Sequence, residues 1–134
     1  MGVIIGKKEY FKNLLEVKYE GQESDNPLAY RYYDKDRMVL GKTMREHFKF
    51  AIAYWHSFVN SGNDPFGPGT KIYPWATSSD VYERAYNKMD AAFEFISKLG
   101  LEYFCFHDFD LIDEGVSLKE SEERLQKISE YASE

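Results

Sequence analysis

The sequence has little cysteine, no basic tract and no long apolar run. A single cysteine, Cys105, stands among 134 residues, so no disulfide can form within the chain and a reducing compartment, the cytoplasm, is expected. The 17 Lys and Arg residues are scattered and are outnumbered by 23 Asp and Glu residues, which leaves a net charge of −6. This charge argues against nucleic acid and anionic membranes as partners, because both require basic patches. No apolar stretch approaches the roughly 20 residues of a membrane span.

What is present is enough apolar surface for one domain. Apolar residues make up 43% of the chain and aromatic residues 17%, so wholesale disorder is not expected. Residues 1–42 are polar and rich in turn residues around Gly21 and Pro27, and we expect an N-terminal extended or loop segment there. Residues 43–134 carry the helix and strand signals.

The first ordered signal is Thr43-Met44-Arg45-Glu46, a capping box that predicts a short helix. The apolar run FAIAYWHSFV follows, and its periodicity alone does not separate helix from strand. Its aromatic residues and the turn cluster after it favour a buried strand over 51–58.

A long aromatic loop is predicted over 60–77, where glycines and prolines exclude regular structure. It nevertheless holds large apolar groups, and exposed loops seldom carry these without a surface on which to bury them. Two interpretations stay open: either the side chains pack beneath their own domain, or Phe66, at the tip of DPFG, reaches into a neighbouring subunit. The apolar residues concerned are Phe66, Ile72, Tyr73 and Trp75.

Two further helices and a second strand complete the pattern. A helix is expected to start at Ser79 as N-cap and to end at Gly100 as a left-handed C-cap residue. A strand apolar on both faces follows over 101–106, which is typical of a parallel sheet covered by helices. A second capping box, Ser117 to Glu120, opens the last helix. The predicted apolar faces comprise Val81, Ala85, Met89, Ala92, Ile96 and Leu99 in the first helix, and Leu118, Leu125 and Ile128 in the second.

Strands that alternate with helices indicate a parallel α/β sheet. Only two such strands are present, however, and two parallel strands with their covering helices are not independently stable. A closed barrel of eight such units takes about 250 residues. The chain is therefore expected to be incomplete as a fold, or folded only with a partner.

The stretch YFCFHDFDLIDEG places an imidazole where the second strand ends. Ligands of α/β folds bind beyond the carboxyl ends of the strands, and Trp55-His56 is expected at the end of the first strand, on the same rim. Asp110 lies three residues after His107, close enough to accept a proton from one ring nitrogen and fix the tautomer. The other nitrogen can then act on a substrate hydroxyl.

The alternatives to this catalytic pair are ordinary. As a bare motif H-D-x-D is weak and more often marks a solvated turn histidine, and a metal site on this loop would have few ligands. Asp108 is expected to cap the turn, while Asp113 and Glu114 are expected on a solvated face. His56 is expected to be a hydrogen-bonded core or rim residue.

Five blocks, in this order and spacing, resemble the amino-terminal part of the longer-chain class of xylose isomerases (glucose isomerases). The resemblance extends from about Lys8 to the end of the chain. The blocks are NPLAYRYYD, LGKTMREHFKFAIAYWHSF, DPFGPGT with its following PW, MDAAFEF, and YFCFHDFD…EG.

The resemblance implies the opening βα units of a (β/α)₈ TIM barrel, in an aldose–ketose isomerase that works as a tetramer or a dimer of tight dimers. Its substrates would be D-xylose and D-xylulose, or D-glucose and D-fructose. Two divalent cations (magnesium, manganese or cobalt) would polarise the open-chain sugar while a hydride moves between C1 and C2. By the same resemblance, His107 binds the sugar and assists ring opening, and Asp110 holds its imidazole. Trp55 belongs to the hydrophobic wall, and Phe66 enters the next subunit's site.

The chain departs from that family in one large respect. The family's metal ligands, a second wall tryptophan and a lysine near the substrate come from later strands, and none of those motifs is in this sequence. We therefore predict no bound cation and no isomerase activity for this chain alone. Two alternatives remain: a non-catalytic piece that acts only in assembly or interaction, and a small metal hydrolase that uses His107 and Asp110.

Overall fold

The computed structural model describes residues 5–134, so residues 1–4 of the predicted N-terminal segment lie outside the description. Two small two-stranded sheets are combined with helices in a mixed α/β arrangement. A π-helical turn, Trp55–Val59, lies between the third strand and the second α-helix. The other elements, in chain order, are β1 (Met38–Val39), β2 (Lys42–Thr43), α1 (Met44–His47), β3 (Ala51–Ala53), α2 (Val81–Lys98), β4 (Tyr103–Cys105), α3 (Asp108–Leu111) and α4 (Leu118–Ser133).

A β-hairpin spans the boundary that the sequence suggested at residue 42. Strands β1 and β2 pair antiparallel, and the two residues between them, Leu40 and Gly41, both have positive φ, at 50° and 82°. Two consecutive left-handed residues form the tight turn that matches the twist of paired strands. The hairpin was not predicted, because leucine is an unusual residue in the left-handed region. The short helix α1 after it confirms the capping box, since the Thr43 and Glu46 side chains each accept the other's backbone N–H.

The parallel strand pair was predicted correctly, but its first strand is shorter than expected. Ala51 pairs with Tyr103 and Ala53 with Cys105 in a parallel register. The predicted strand over 51–58 is wrong beyond Ala53, where the chain enters the π-helical turn closed by the Asn60 N–H and the Trp55 carbonyl at 2.8 Å.

The physical reason is that Tyr54 and Phe58 both belong in the core. Their side chains are 0% and 2% exposed, and their ring centroids lie 5.2 Å apart. In a strand, residues four apart are about 13 Å apart along the chain axis, so only a helical turn brings both rings into the same layer.

Helix α2 has the predicted apolar face but a different N-cap. Asp80, not Ser79, caps the helix, and its side chain accepts the Glu83 N–H at 2.8 Å. At the other end Gly100 has φ 66°, as expected for the left-handed residue after a helix. The backbone bonds from Gly100 to Ser97 and from Leu101 to Ile96, at 3.0 and 3.1 Å, form a complete Schellman motif.

Strand β4 covers only the middle of the predicted strand 101–106, because the Leu101 N–H still donates to the Ile96 carbonyl at the end of α2. Burial on both faces, which the sequence predicted, is wrong for this strand. Tyr103 is 43% exposed and Phe106, just past the strand, is 49% exposed. With β3 as its only neighbour in the described part of the chain, β4 keeps an open edge. The structure is a partial α/β domain; it does not show a barrel.

Helix α4 starts at Ser117 as predicted, but with half of the expected capping box. Ser117 Oγ accepts the Glu120 N–H at 3.2 Å, while the Glu120 carboxylate accepts from Val116 rather than from Ser117. Ile128 is fully buried, and Leu125 packs against the core. Leu118 is 77% exposed, so its place on the apolar face was wrong; it lies in the first turn, before the helix reaches the core.

The core lies between α2, α4 and the π-helical turn. Ala85, Met89 and Ala92 of α2 are at most 1% exposed and meet a set of aromatic rings. None of the helices in residues 5–134 combines the length and apolarity that crossing a membrane requires. The buried aromatic residues of the core are Tyr54, Phe58, Tyr73 and Trp75.

Candidate active site beyond the parallel strands

His107 lies two residues after β4 and is the N-cap residue of α3. Its Nδ1 is 2.9 Å from Asp110 Oδ2, and its backbone N–H donates to the same oxygen at 2.8 Å. The imidazole is 67% exposed while the Asp110 side chain is 0% exposed. The arrangement is therefore an open imidazole anchored to a buried carboxylate. In the tautomer with the proton on Nδ1, Nε2 is left free to accept a proton from solvent or substrate.

The ring of Phe109 lies parallel to this imidazole and offset from it. The two ring centroids are 5.4 Å apart and the planes differ by 5°, so the imidazole has an apolar neighbour and a defined orientation. Phe109 is itself 49% exposed. Phe109 was not predicted as a site residue, although an aromatic group two residues after a candidate histidine is a usable signal.

The charge of Asp110 acts on the pKa values of two residues distant from it in the sequence, Tyr54 and Lys88. Burial raises the pKa of Tyr54 far above its ordinary value, and the charges of Asp110 and Asp90 add to this effect. Burial lowers the pKa of Lys88, whereas Asp113 and Asp110 oppose that shift. Both residues were missed by sequence reasoning, because neither lies next to His107 in the chain.

Trp55 and His56 follow β3 directly, as part of the π-helical turn rather than of a strand. Ala53 pairs with Cys105, so β3 and β4 end at the same level. The π-helical turn and His107 therefore both follow the carboxyl end of the strand pair, on the same rim. Trp55 is half-buried, and His56 is exposed and packs edge-on against it, with ring centroids 4.8 Å apart. His56 is therefore a rim residue and not a core residue.

The aromatic loop over 60–77 packs beneath its own domain in part, and the intersubunit role of Phe66 stays a prediction. Tyr73 and Trp75 are 6% and 5% exposed and pack in the core, whereas Phe66 is 97% exposed. Asp64 forms the turn beneath Phe66, since its Oδ1 accepts the Phe66 N–H at 2.8 Å. The chain's own fold does not bring Phe66 to His107; it presents the ring at the tip of a turn.

The remaining acidic residues of the region have structural contacts. Asp108 Oδ1 accepts the Phe109 N–H at 2.9 Å, so it supports the turn as expected, although His107 holds the N-cap position. Asp113 was expected on a solvated face; it is exposed but also forms an ion pair with Arg84 at 2.6 Å. Glu114 is exposed, as predicted.

The side chains of residues 5–134 do not fit a divalent cation. No group of three or more His, Cys, Asp or Glu side chains in that part of the chain could hold a metal ion. Asp110 is committed to His107, and Asp113 is committed to Arg84.

Comparison with known proteins gives one consistent result. The chain is 52% identical to xylose isomerase 2 of Xanthomonas campestris pv. campestris over 126 residues, which is 94% of this chain and 28% of the relative. It is 50% identical to xylose isomerase 1 of the same organism over 130 residues, 97% of this chain and 29% of the relative. It is 54% identical to the xylose isomerase of Paraburkholderia xenovorans over 122 residues, 91% of this chain and 28% of the relative. No protein-family profile matches the chain.

These relatives confirm the resemblance drawn from the five sequence blocks. The chain spans less than a third of the length of the curated relatives that it matches.

Proposed function

We propose that this chain, which is homologous to the xylose isomerases over about 28% of their length, supplies the sugar-handling His–Asp pair of an aldose–ketose isomerase. The reaction would interconvert D-xylose and D-xylulose, and also D-glucose and D-fructose. The observation that carries the proposal is the geometry of His107: an exposed imidazole whose Nδ1 and backbone N–H are both 2.8–2.9 Å from one oxygen of a fully buried carboxylate.

In this proposal His107 binds the cyclic sugar and moves a proton during ring opening. Asp110 holds Nδ1 protonated, so Nε2 faces the sugar hydroxyl as an acceptor. Positioned proton transfer of this kind contributes roughly 10²–10⁴-fold to a rate. Trp55, on the same rim, would form the flat apolar wall that excludes water from the sugar.

Two divalent cations (magnesium, manganese or cobalt) belong to the proposed complete enzyme, where they would polarise the open-chain sugar. Their ligands are not supplied by residues 5–134, so no catalytic step of this chain is assigned to them. The same reasoning extends to the fold: we propose that residues 43–134 form the first two βα units of a (β/α)₈ barrel, following the N-terminal segment 1–42. The open edge of β4 supports this, because an unpaired parallel strand accepts a further neighbour.

Assembly into a homo-oligomer, a tetramer, is proposed with Phe66 as the intersubunit contact. The support is that Phe66 is 97% exposed on a turn that Asp64 rigidifies, whereas other aromatic residues of the same loop are buried. A cytoplasmic location is proposed because the chain's single cysteine, Cys105, is not in a disulfide, which is typical of a reducing compartment.

The test is complementation with the part of a xylose isomerase that this chain does not match. We expect the chain alone to show no turnover of D-xylose with Mg²⁺, and the mixture to recover turnover. The variant His107→Asn should lower the recovered kcat by about 10²-fold or more. The matched control is His56→Asn, on the same rim but with no carboxylate partner among residues 5–134, which should retain activity. Turnover by the chain alone, or recovered activity that His107→Asn leaves intact, would contradict the proposal.

A second candidate function is a non-catalytic assembly piece. The observation that favours it is the group of half-exposed aromatic residues on and beside the parallel strands, since such patches mark interaction surfaces. Continued absence of turnover in the mixture, together with formation of a stable complex, would support this alternative. The residues of the patch are Phe48 (50% exposed), Phe50 (49%), Tyr103 (43%) and Phe106 (49%).

A further inference from the structure

The hydrogen bond between His107 and Asp110 fixes one atom of the imidazole but not the plane of the ring. Nδ1 lies 2.9 Å from Asp110 Oδ2, so this contact sets the tautomer and one point of the ring. The χ2 angle of a histidine joins an sp³ carbon to an sp² carbon and has a broad energy well. The His107 side chain is also 67% exposed, so its surroundings do little to limit rotation about that bond. Holding the ring in one plane therefore requires a second contact.

Phe109 supplies that contact with a ring parallel to the imidazole. Side chains two residues apart on a helix do not face each other, but His107 is the N-cap residue of α3 and has extended φ and ψ angles of −100° and 158°. This departure from helical backbone lets its ring lie alongside that of Phe109, at a centroid distance of 5.4 Å and an interplanar angle of 5°. Offset parallel rings at such separations attract each other beyond the effect of their apolar area.

Phe109 contributes little to the buried core. Its side chain is 49% exposed and lies outside the core cluster. It lines a cavity of about 160 Å³ between α3 and α4, together with Ile112, Leu118 and Leu125. Within residues 5–134 the only ring that pairs with Phe109 is that of His107. The effect of this large apolar side chain therefore falls on the imidazole.

We propose that Phe109 is a positioning residue that fixes the plane of the His107 imidazole. Asp110 sets which nitrogen carries the proton, and the parallel ring of Phe109 limits rotation about χ2, so Nε2 keeps one direction. This role rests on the proposed function, in which Nε2 acts on a sugar hydroxyl. A group that is already oriented needs no reorganisation before it transfers a proton.

Two substitutions of Phe109 separate the effect of its ring from that of its apolar bulk. Phe109→Leu keeps an apolar side chain but removes the ring, whereas Phe109→Tyr keeps the ring. The matched control is Phe106→Leu. Phe106 is also 49% exposed and directly precedes His107, but its ring stacks on that of Phe104, with centroids 5.6 Å apart.

The first measurement is the nuclear magnetic resonance order parameter of the His107 Cδ2–H bond, without sugar or metal, in the assembly that the chain forms in solution. We expect about 0.85, the value of a rigid group, in the wild type and in Phe109→Tyr, and a value below about 0.6 in Phe109→Leu. Phe106→Leu should match the wild type, and the His56 ring should be unchanged in every variant. An equally rigid His107 ring in Phe109→Leu, a wild-type ring already below about 0.6, or loosening that Phe106→Leu or His56 shares would each overturn the inference.

The second measurement is turnover of D-xylose with Mg²⁺ after the chain is combined with the part of a xylose isomerase that it does not match. Phe109→Leu should lower kcat/KM about threefold to tenfold, as expected for the loss of one aromatic pair. Phe109→Tyr should stay within about twofold of the wild type. A role in apolar packing alone would be served by leucine, so a loss in both variants, or in neither, contradicts the inference.

The two measurements separate this inference from the proposed function. Recovered turnover with an unchanged His107 order parameter in Phe109→Leu would overturn this inference alone. A loosened His107 ring in Phe109→Leu, with no turnover recovered even by the wild type, would overturn the proposed function and leave the orienting contact in place. If Phe109→Leu does not fold, the wild type decides: the ring protons of His107 and Phe109 should show a nuclear Overhauser cross-peak, and its absence overturns the inference.

Discussion

The buried carboxylate of Glu94 offers the sharpest test of what holds the N-terminal segment to the domain. Glu94, on α2, is 0% exposed. It accepts the backbone N–H groups of Tyr10 and Phe11 at 2.8 and 2.9 Å, and the Lys98 ammonium donates to it at 2.8 Å. Lys98, 1% exposed, also donates to Glu9 at 3.0 Å and to the Phe11 carbonyl at 2.7 Å. We predict that Glu94→Gln releases residues 9–11.

The magnitude follows from the charges that remain. Removing one partner of a buried ion pair costs about 3–5 kcal/mol, because the other charge is left in the interior. Glu9 still faces Lys98 in the variant, so we expect the lower end, about 3 kcal/mol of unfolding free energy. The amide also presents a donor to one of the two backbone N–H groups, which are themselves donors.

The pH dependence has a definite sign. Burial alone would raise the pKa of Glu94, but hydrogen bonds from Lys98, Tyr10 and Phe11 outweigh it, so the pKa lies below its ordinary value of 4.5. Burial alone would lower the pKa of Lys98, but its bonds to Glu94 and Glu9 raise it above 10.5. The stabilisation is therefore fully present between about pH 4.5 and 10.5; it is lost below as Glu94 protonates and above as Lys98 deprotonates.

The assay is urea unfolding followed by circular dichroism, with amide exchange at Tyr10 and Phe11 to detect local release of the segment. The control is Glu123→Gln, whose carboxylate is 61% exposed and lies 3.9 Å from Lys119; it should cost less than about 1 kcal/mol. In Glu94→Gln the loss of stability on acidification should become shallower than in the wild type. A Glu94→Gln variant as stable as Glu123→Gln, with protected Tyr10 and Phe11 amides, would contradict a role for Glu94 in holding residues 9–11.

Two further substitutions test local geometry and assembly. Gly100→Ala should lower the unfolding free energy by about 1 kcal/mol in urea unfolding, because alanine at φ 66° is strained. The control is Gly67→Ala, which has open space around it and no positive φ and should change the urea midpoint little. Equal effects of the two substitutions would contradict the role of the Schellman turn. Phe66→Ser should leave stability within about 0.5 kcal/mol, since the ring is 97% exposed, yet reduce self-association in sedimentation measurements. Ile72→Ser, in the same loop and 84% exposed, is its control, and equal loss of association in both variants would argue against a specific Phe66 contact.

The elements that sequence reasoning predicted well depend on neighbours close in the chain. The Thr43–Glu46 capping box, the apolar spacing of α2 and the glycine at its end are signals within one or two turns. The N-cap was misplaced from Asp80 to Ser79 because both are good cap residues and only the hydrogen bond to Glu83 separates them. Leu40 gave no turn signal, although the structure places it in the left-handed region.

The candidate site was predicted in part. The contact between His107 and Asp110 followed from their spacing, and it is present at 2.9 Å. The roles of Trp55 and Phe66 stay predictions. Trp55 lies on the rim beyond the strands, and Phe66 points away from the chain's own fold. Phe109, Tyr54 and Lys88 could not be ranked from spacing alone, since the importance of the last two depends on what packs around Asp110.

Local sequence patterns predicted helices α1, α2 and α4, the parallel strand pair and the His107–Asp110 bond, because capping, periodicity and short-range spacing act within a few residues. Long-range packing makes the apolar run after Ala53 turn instead of extending, since Tyr54 and Phe58 reach the core together only on a helical turn. The same long-range packing buries Asp110 and leaves Tyr103 of β4 partly exposed. Burial depends on which distant elements supply the opposite surface, and no local pattern specifies that.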